Sequence, residues 1–140
     1  MIILDTNVVS EPMRLNGNPS VRAWLDSQVA ETLYLTATSL SELLVGIAVL
    51  PRGKRRQGLD AALGELVDML FGSRVLAFDQ QAARAYAPLV SQARSVGSLI
   101  SVADAQIAAI ATVHGFTVAT RDTAPFMAAG VPFINPWELG

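Results

Sequence analysis

Met1-Ile2-Ile3-Leu4-Asp5 opens the chain: four apolar residues without polar alternation, stopped by a carboxylate. An unalternating apolar run is the pattern of a short strand buried on both faces, as in parallel sheets covered by helices. Working outward, further strand candidates are Leu33-Tyr34-Leu35-Thr36, Arg74-Val75-Leu76-Ala77-Phe78 and Phe116-Thr117-Val118-Ala119, with a weaker one from Val131 to Ile134. Helical spacings fill the gaps. Asn18 is expected to cap a helix with Pro19 at its first position and Val21, Trp24, Leu25 and Val29 on one face. Another begins near Ser39, carries Leu40, Leu43, Leu44, Ile47 and Leu50 on one face, and is ended by Pro51 and Gly53. Leu59, Leu63, Leu66 and Leu70 mark a third. Asp79 should cap a fourth, which Pro88 is expected to kink or split. A fifth opens at Gly97-Ser98 and closes at His114-Gly115, with Gly115 suited to a left-handed cap. Strands alternating with helices predict an α/β fold, with a mostly parallel sheet of four to five strands flanked by helices.

The chain's 140 residues are most simply one domain spanning 1–140, with no internal repeat or linker. Hydrophobic residues make up 51% and charged residues 16%, which suits a packed core and not a disordered chain. There are no cysteines, which excludes a disulfide framework, a zinc–thiolate site and a thiol nucleophile. No signal peptide is expected, because Asp5 breaks the opening apolar run and no basic segment precedes it. The uncharged stretch Leu43 to Leu50 is far shorter than the roughly 20 residues that span a bilayer. A cytoplasmic location and no membrane contact are expected. The net charge of −2 gives no average attraction to nucleic acid. Arg52, Lys54, Arg55 and Arg56 nevertheless form a basic cluster, either a solvated loop or helix start, or a phosphate-contacting rim.

Four carboxylates stand where apolar segments stop or would otherwise run on: Asp5, Glu42, Asp104 and Asp122. A buried, unpaired carboxylate costs several kcal/mol, so such positions point to a metal, a basic partner or a shifted pKa. Each also has an ordinary reading. Asp5 can cap the turn Asp5-Thr6-Asn7. Ser39-Leu40-Ser41-Glu42 matches a capping box. Asp122 can cap a short helix or pair with Arg121. Asp104 resists dismissal, because Asp is a poor helix-interior residue and its neighbours are alanine and aliphatic. Asp5 and Asp122 both follow strands, and open α/β sheets bind ligands beyond the carboxyl ends of their strands. Clustered carboxylates repel and require a counter-charge, for which Mg²⁺ or Mn²⁺ is the ordinary solution. Such an ion polarises a phosphoryl oxygen and activates water, the chemistry of phosphodiester hydrolysis. His114, the only histidine, sits at a helix end where a structural role suffices. Trp24 is expected in the core, and Trp137 to dock the tail or face a partner. No Walker A, nucleophile-elbow or dinucleotide motif is present.

Ile3-Leu4-Asp5-Thr6-Asn7-Val8-Val9-Ser10, Ser41-Glu42-Leu43 with Gly46, Ala103-Asp104-Ala105-Gln106-Ile107-Ala108-Ala109 and Val118-Ala119-Thr120-Arg121-Asp122 together resemble PIN domains, in order and spacing along the whole chain. Glu11-Pro12 and Asn135-Pro136-Trp137 resemble the FitB-like branch of the VapC toxins. The resemblance implies a three-layer PIN-like fold and a Mg²⁺- or Mn²⁺-dependent ribonuclease, the toxin of a type II toxin–antitoxin pair. It implies that Asp5 and Asp104 hold the principal metal, and that Glu42 and Asp122 complete the pocket and position metal-bound water. Thr120 lies beside the site, and Asn7 braces the loop carrying Asp5. The implied partners are a DNA-binding antitoxin whose tail wraps the toxin, the RNA substrate, operator DNA through the antitoxin only, and a second copy in a homodimer or larger complex. The competing function is an antitoxin-binding module with little or no nuclease activity that strengthens operator binding. A phosphoryl-accepting receiver fits poorly: no carboxylate adjoins Asp5, and Lys54 is the only lysine.

Overall fold

The computed structural model describes residues 1–139. Five strands, β1 (Ile2–Leu4), β2 (Leu33–Thr36), β3 (Val75–Leu76), β4 (Thr117–Ala119) and β5 (Phe133–Ile134), form one sheet in the order β3-β2-β1-β4-β5. Every pairing is parallel, with Ile3 opposite both Tyr34 and Val118. Parallel neighbours need crossovers, and the helices supply them. These are α1 (Thr6–Ser10), α2 (Pro19–Asp26), α3 (Ala37–Ala48), α4 (Lys54–Leu66, running on into a π-helical turn at Val67–Phe71), α5 (Gln80–Ser95), α6 (Val102–His114) and α7 (Ala124–Ala129).

The two-residue period of the strands divides the core. Ile3 and Val118 face a cluster with Ala82, Leu89, Ile107, Ile110 and Phe126 from α5, α6 and α7. Leu4, Leu35 and Ala119 face the other side, with Val8, Leu43, Ile47 and Leu63 from α1, α3 and α4. Helices therefore cover both sheet faces, as the unalternating strand at the start requires.

The expected elements are present, with several boundaries moved. Asn18 caps α2, its side chain accepting from the Ser20 N–H at 2.8 Å with Pro19 at the first position. That helix stops at Asp26, where the Ser27 hydroxyl bonds the Trp24 carbonyl at 2.6 Å, and Val29 is left exposed. β3 is shorter than Arg74–Phe78: the Arg74 side chain turns back onto the carbonyls of Leu33, Ala30 and Leu70, and Phe78 packs edge-on against Tyr86 of α5. α5 runs unbroken through Pro88, because Pro88 and Arg84 lie on its exposed side, where the carbonyl left without a donor reaches water. α6 begins at Val102 and not at Gly97-Ser98, since the Ser101 side chain caps it by accepting from the Asp104 N–H at 3.1 Å. Gly115 ends α6 in the left-handed conformation at φ 68°. Among the described residues no helix is long and apolar enough to cross a membrane.

Candidate active site

From β1 the chain first builds outward to β2 and β3, then returns to place β4 and β5 on the other side. The order of strand addition therefore reverses between β1 and β4, and the crevice for a ligand opens beyond their carboxyl ends. Asp5 follows β1 and Thr120 follows β4. The Asp5 N–H donates to the Ala119 carbonyl at 2.9 Å, which locks its position to the β1–β4 register. Its carboxylate is 5% exposed, with Oδ1 accepting the Thr6 N–H and Oδ2 accepting the Thr120 hydroxyl, both at 2.8 Å. Thr120, wholly buried, in turn accepts the Asp122 N–H at 3.1 Å. One hydroxyl thus bridges the crevice and shapes the turn that presents Asp122.

Glu42 arrives on α3. Although Ser39-Leu40-Ser41-Glu42 has the capping-box spacing, Thr36 is the cap: its buried hydroxyl accepts the Ser39 N–H at 3.0 Å and the helix starts at Ala37. Glu42 is thereby released from capping, and its Oε1 accepts the Thr6 hydroxyl at 3.0 Å. Thr6 serves two carboxylates, Asp5 through its N–H and Glu42 through its side chain. Asp104 lies in the first turn of α6 and not in a helix interior. There a negative charge is favoured by the helix dipole, which resolves the poor propensity noted in the sequence. One bond ties the two acid-bearing helices together: Thr38 on α3 donates to Gln106 Oε1 on α6 at 2.9 Å. The Asn7 carboxamide accepts the Arg121 N–H at 3.2 Å, joining the loop after β4 to the start of α1.

The four carboxylates share one electrostatic neighbourhood. Burial pushes the Asp5 pKa up, the bonds from Thr120 and Thr6 oppose the rise, and the charges of Asp104 and Glu42 add to it. Burial also raises Asp104, opposed by hydrogen bonding from Ser101 and reinforced by Asp122. Among the described residues no basic side chain contributes to either shift. Of the two ordinary readings of Asp122, the pair with Arg121 does not form; the Arg121 guanidinium stands over the Trp137 ring, 5.2 Å from its centroid. His114 ends α6 beside Phe116 with ring centroids 5.3 Å apart, and Trp24 packs against the core on the α1, α3 and α4 side. Lys54, Arg55 and Arg56 form the first turn of α4 and Arg52 precedes it. Lys54 and Arg55, with Arg14, line a groove of about 880 Å³ floored by Leu43, Ile47, Leu59 and Leu63, which ends at Thr6 and Glu42.

Sequence reasoning did not single out Thr6, Thr38 or Gln106 as parts of the site. The signals were slight: a hydroxyl next to Asp5, a hydroxyl one helical turn before Glu42, and an amide two residues past Asp104 in an alanine-rich helix.

Among the described residues no three acidic or imidazole side chains converge into a ready-made metal cage. The donor set still fits a hard divalent cation. All four candidates are carboxylates, they repel one another with no cation between them, and both Asp5 oxygens keep a lone pair beyond the bonds they accept. Mg²⁺ keeps several waters and needs only one or two carboxylates, so the wider spacing suits it.

The sequence profile of the PIN domain matches residues 2–130. The chain belongs to the PIN domain family. It is 52% identical over 139 residues to a VapC ribonuclease of Sinorhizobium fredii, covering 99% of both chains. It is 47% identical over 138 residues to the toxin FitB of Neisseria gonorrhoeae, again covering 99% of both. Its fold superposes with a TM-score of 0.95 on a chain of FitAB bound to a DNA fragment, at 46% identity and covering 100% of this chain and 98% of that one. The likeness to FitB-like VapC proteins read from the sequence holds for this PIN domain, as does the parallel α/β architecture.

Proposed function

We propose that this PIN domain, acting as one unit over residues 1–140, is a divalent-metal-dependent endoribonuclease and the toxin of a type II toxin–antitoxin pair. One observation carries the reading. A buried carboxylate, Asp5, is bonded across the switch point of the sheet to Thr120, with the charges of Asp104 and Glu42 acting on it and that of Asp122 acting on Asp104. The high identity to a VapC ribonuclease over nearly the whole chain supports it.

Asp5 and Asp104 would hold Mg²⁺ or Mn²⁺, with Glu42 and Asp122 completing the pocket. When bound, such an ion polarises a phosphoryl oxygen and lowers the pKa of water. The protein's own work is positioning. Thr120 and the Thr6 N–H fix the Asp5 carboxylate in one orientation, so no reorganisation is needed when substrate arrives. Thr6 aims Glu42 inward from α3. Asp122, exposed and freed from Arg121, is available to accept a proton from an attacking water. Asn7 holds the β4 loop against the start of α1.

The partners in this reading are RNA and a cognate DNA-binding antitoxin, with operator DNA reached only through the antitoxin. The groove from Lys54 and Arg55 to Glu42, apolar in its floor and basic on its rim, supports a docked antitoxin segment. A cytoplasmic homodimer, or a larger complex with antitoxin, belongs to the same reading.

The test is cleavage of a mixed RNA panel by antitoxin-free protein with Mg²⁺ or Mn²⁺, run beside Asp5→Asn. Cleavage by the parent alone is expected. A well-folded parent that cleaves nothing with either metal transfers the reading to an antitoxin-binding regulator of operator affinity.

A further inference from the structure

Arg121 is flanked in sequence by two residues of the acidic centre and, among the described residues, pairs with no carboxylate. Asp122 follows it in the chain, and Thr120 before it is bonded to Asp5. Its own N–H is bonded to Asn7. Among the described residues Arg14–Glu11 is the one side-chain ion pair. The Arg121 guanidinium instead lies over Trp137. Trp137 is itself held in place. Its N–H donates to Asn135 Oδ1 at 3.0 Å, and the Glu138 N–H donates to the Asn135 carbonyl at 3.1 Å, closing a turn directly after β5. Its partly buried ring packs against the core cluster shared with α3.

Two electrostatic demands meet at this rim. A guanidinium carried between Thr120 and Asp122 and free to swing would fall onto the carboxylates and cancel the charge that attracts a metal. An RNA strand approaching the same carboxylates is repelled, so it needs cations at the mouth of the pocket. Stacking satisfies both. A guanidinium laid on an aromatic face is restrained by that face, while its edge N–H groups stay free to fork onto a phosphate. Lys54 and Arg55 supply cations along the groove that ends at Glu42. Arg121 supplies one beside Asp122.

We propose that Arg121 is a substrate-binding residue that grips an RNA phosphate at the mouth of the acidic centre, and that Trp137 is the positioning residue that keeps it off the carboxylates. The proposal builds on the nuclease reading above, yet it has readouts of its own.

The experiment measures two affinities of the folded, metal-free protein: for a fluorescein-labelled single-stranded RNA over a series of salt concentrations, and for Mn²⁺ alone by calorimetry. Arg121→Gln is exposed and safe for folding. It should weaken RNA binding about tenfold and make the salt dependence shallower by about 0.7 in logarithmic slope, without weakening Mn²⁺ binding. Trp137→Leu keeps the apolar bulk and removes the π face. It should weaken both RNA and Mn²⁺ binding, because Arg121 then collapses onto the acidic centre. Trp137→Phe should restore both, and adding Arg121→Gln to Trp137→Leu should restore Mn²⁺ binding alone. Unchanged RNA affinity and slope in Arg121→Gln overturn the substrate contact. Unchanged Mn²⁺ affinity in Trp137→Leu overturns the positioning role. A parent that cleaves RNA while Arg121→Gln matches it throughout defeats this proposal and leaves the nuclease reading standing. A parent that binds RNA through Arg121 but never cleaves does the reverse, and a parent that binds no RNA defeats both.

Discussion

The acidic centre has two halves built on different terms. Asp5 and Asp104 form the inner half: Asp5 is buried and bonded on both oxygens, Asp104 is half-buried in a capped first turn, and burial raises the pKa of both. Glu42 and Asp122 form the outer half, both exposed, one steered by the Thr6 hydroxyl and the other by the turn that Thr120 shapes. The inner half stores unfavourable electrostatics in a rigid frame. The outer half is open to solvent and can adjust to what binds. A site divided this way has a fixed anchor and an adaptable mouth, and the two halves should answer differently to the same conservative change.

The largest difference should come from neutralising the anchor. Asp5→Asn or Asp104→Asn is expected to lower RNA cleavage by at least about 10³-fold while leaving the fold intact. Full activity in either variant, measured on the panel described above, would break the division. The second effect runs opposite in sign to the first. A carboxyl whose folded pKa is raised favours the fold fully below its unfolded value, near 3.8, and loses that contribution as pH rises through the folded value. Without metal, Asp5→Asn should therefore melt several degrees above the parent at neutral pH, the gap closing toward acid. A gap independent of pH would mean that the buried charge is not its cause. Added Mn²⁺ should raise the parent's melting temperature and not the variant's.

The outer half should give smaller losses. Glu42→Gln and Asp122→Asn are expected to cost about 10- to 100-fold in cleavage. Thr6→Val removes the hydroxyl that steers Glu42 and keeps the N–H that steers Asp5, so it should follow Glu42→Gln and not Asp5→Asn. A loss as deep as that of Asp5→Asn would merge the halves. The smallest effect lies outside both. The Ser39 hydroxyl, buried on α3, is without a hydrogen-bond partner, so Ser39→Ala should leave cleavage alone and stabilise by up to about 1 kcal/mol in urea unfolding.

The inner half was the more legible in the sequence. A buried parallel strand must be an apolar run, and a carboxylate closing such a run is conspicuous, which is how Asp5 and the strand-end face were found. Asp104 was found for a reason that the structure revises. A start at Gly97-Ser98 puts Asp104 in the helix interior, whereas Ser101 caps the helix and Asp104 occupies a first-turn position that suits its charge. Glu42 is ambiguous in the sequence because Ser39-Leu40-Ser41-Glu42 has the spacing of a capping box, and it is Thr36 that caps the helix instead. Arg121 over Trp137 could not be read at all. Pairing with the adjacent Asp122 is the local expectation, and it is β5 lying beside β4 that brings the indole within reach.

The Thr120 hydroxyl meets a carboxylate 115 positions earlier in the chain. Synthesis therefore delivers Asp5 long before the hydroxyl that anchors it. A ribosome-bound chain that has not yet emitted β4 has Asp5 without its bridge, and lacks Thr120 and Asp122 altogether. For a protein whose proposed substrate surrounds it while it is being made, this order of assembly is a delay written into topology: the acidic centre is not assembled until β4 lies beside β1.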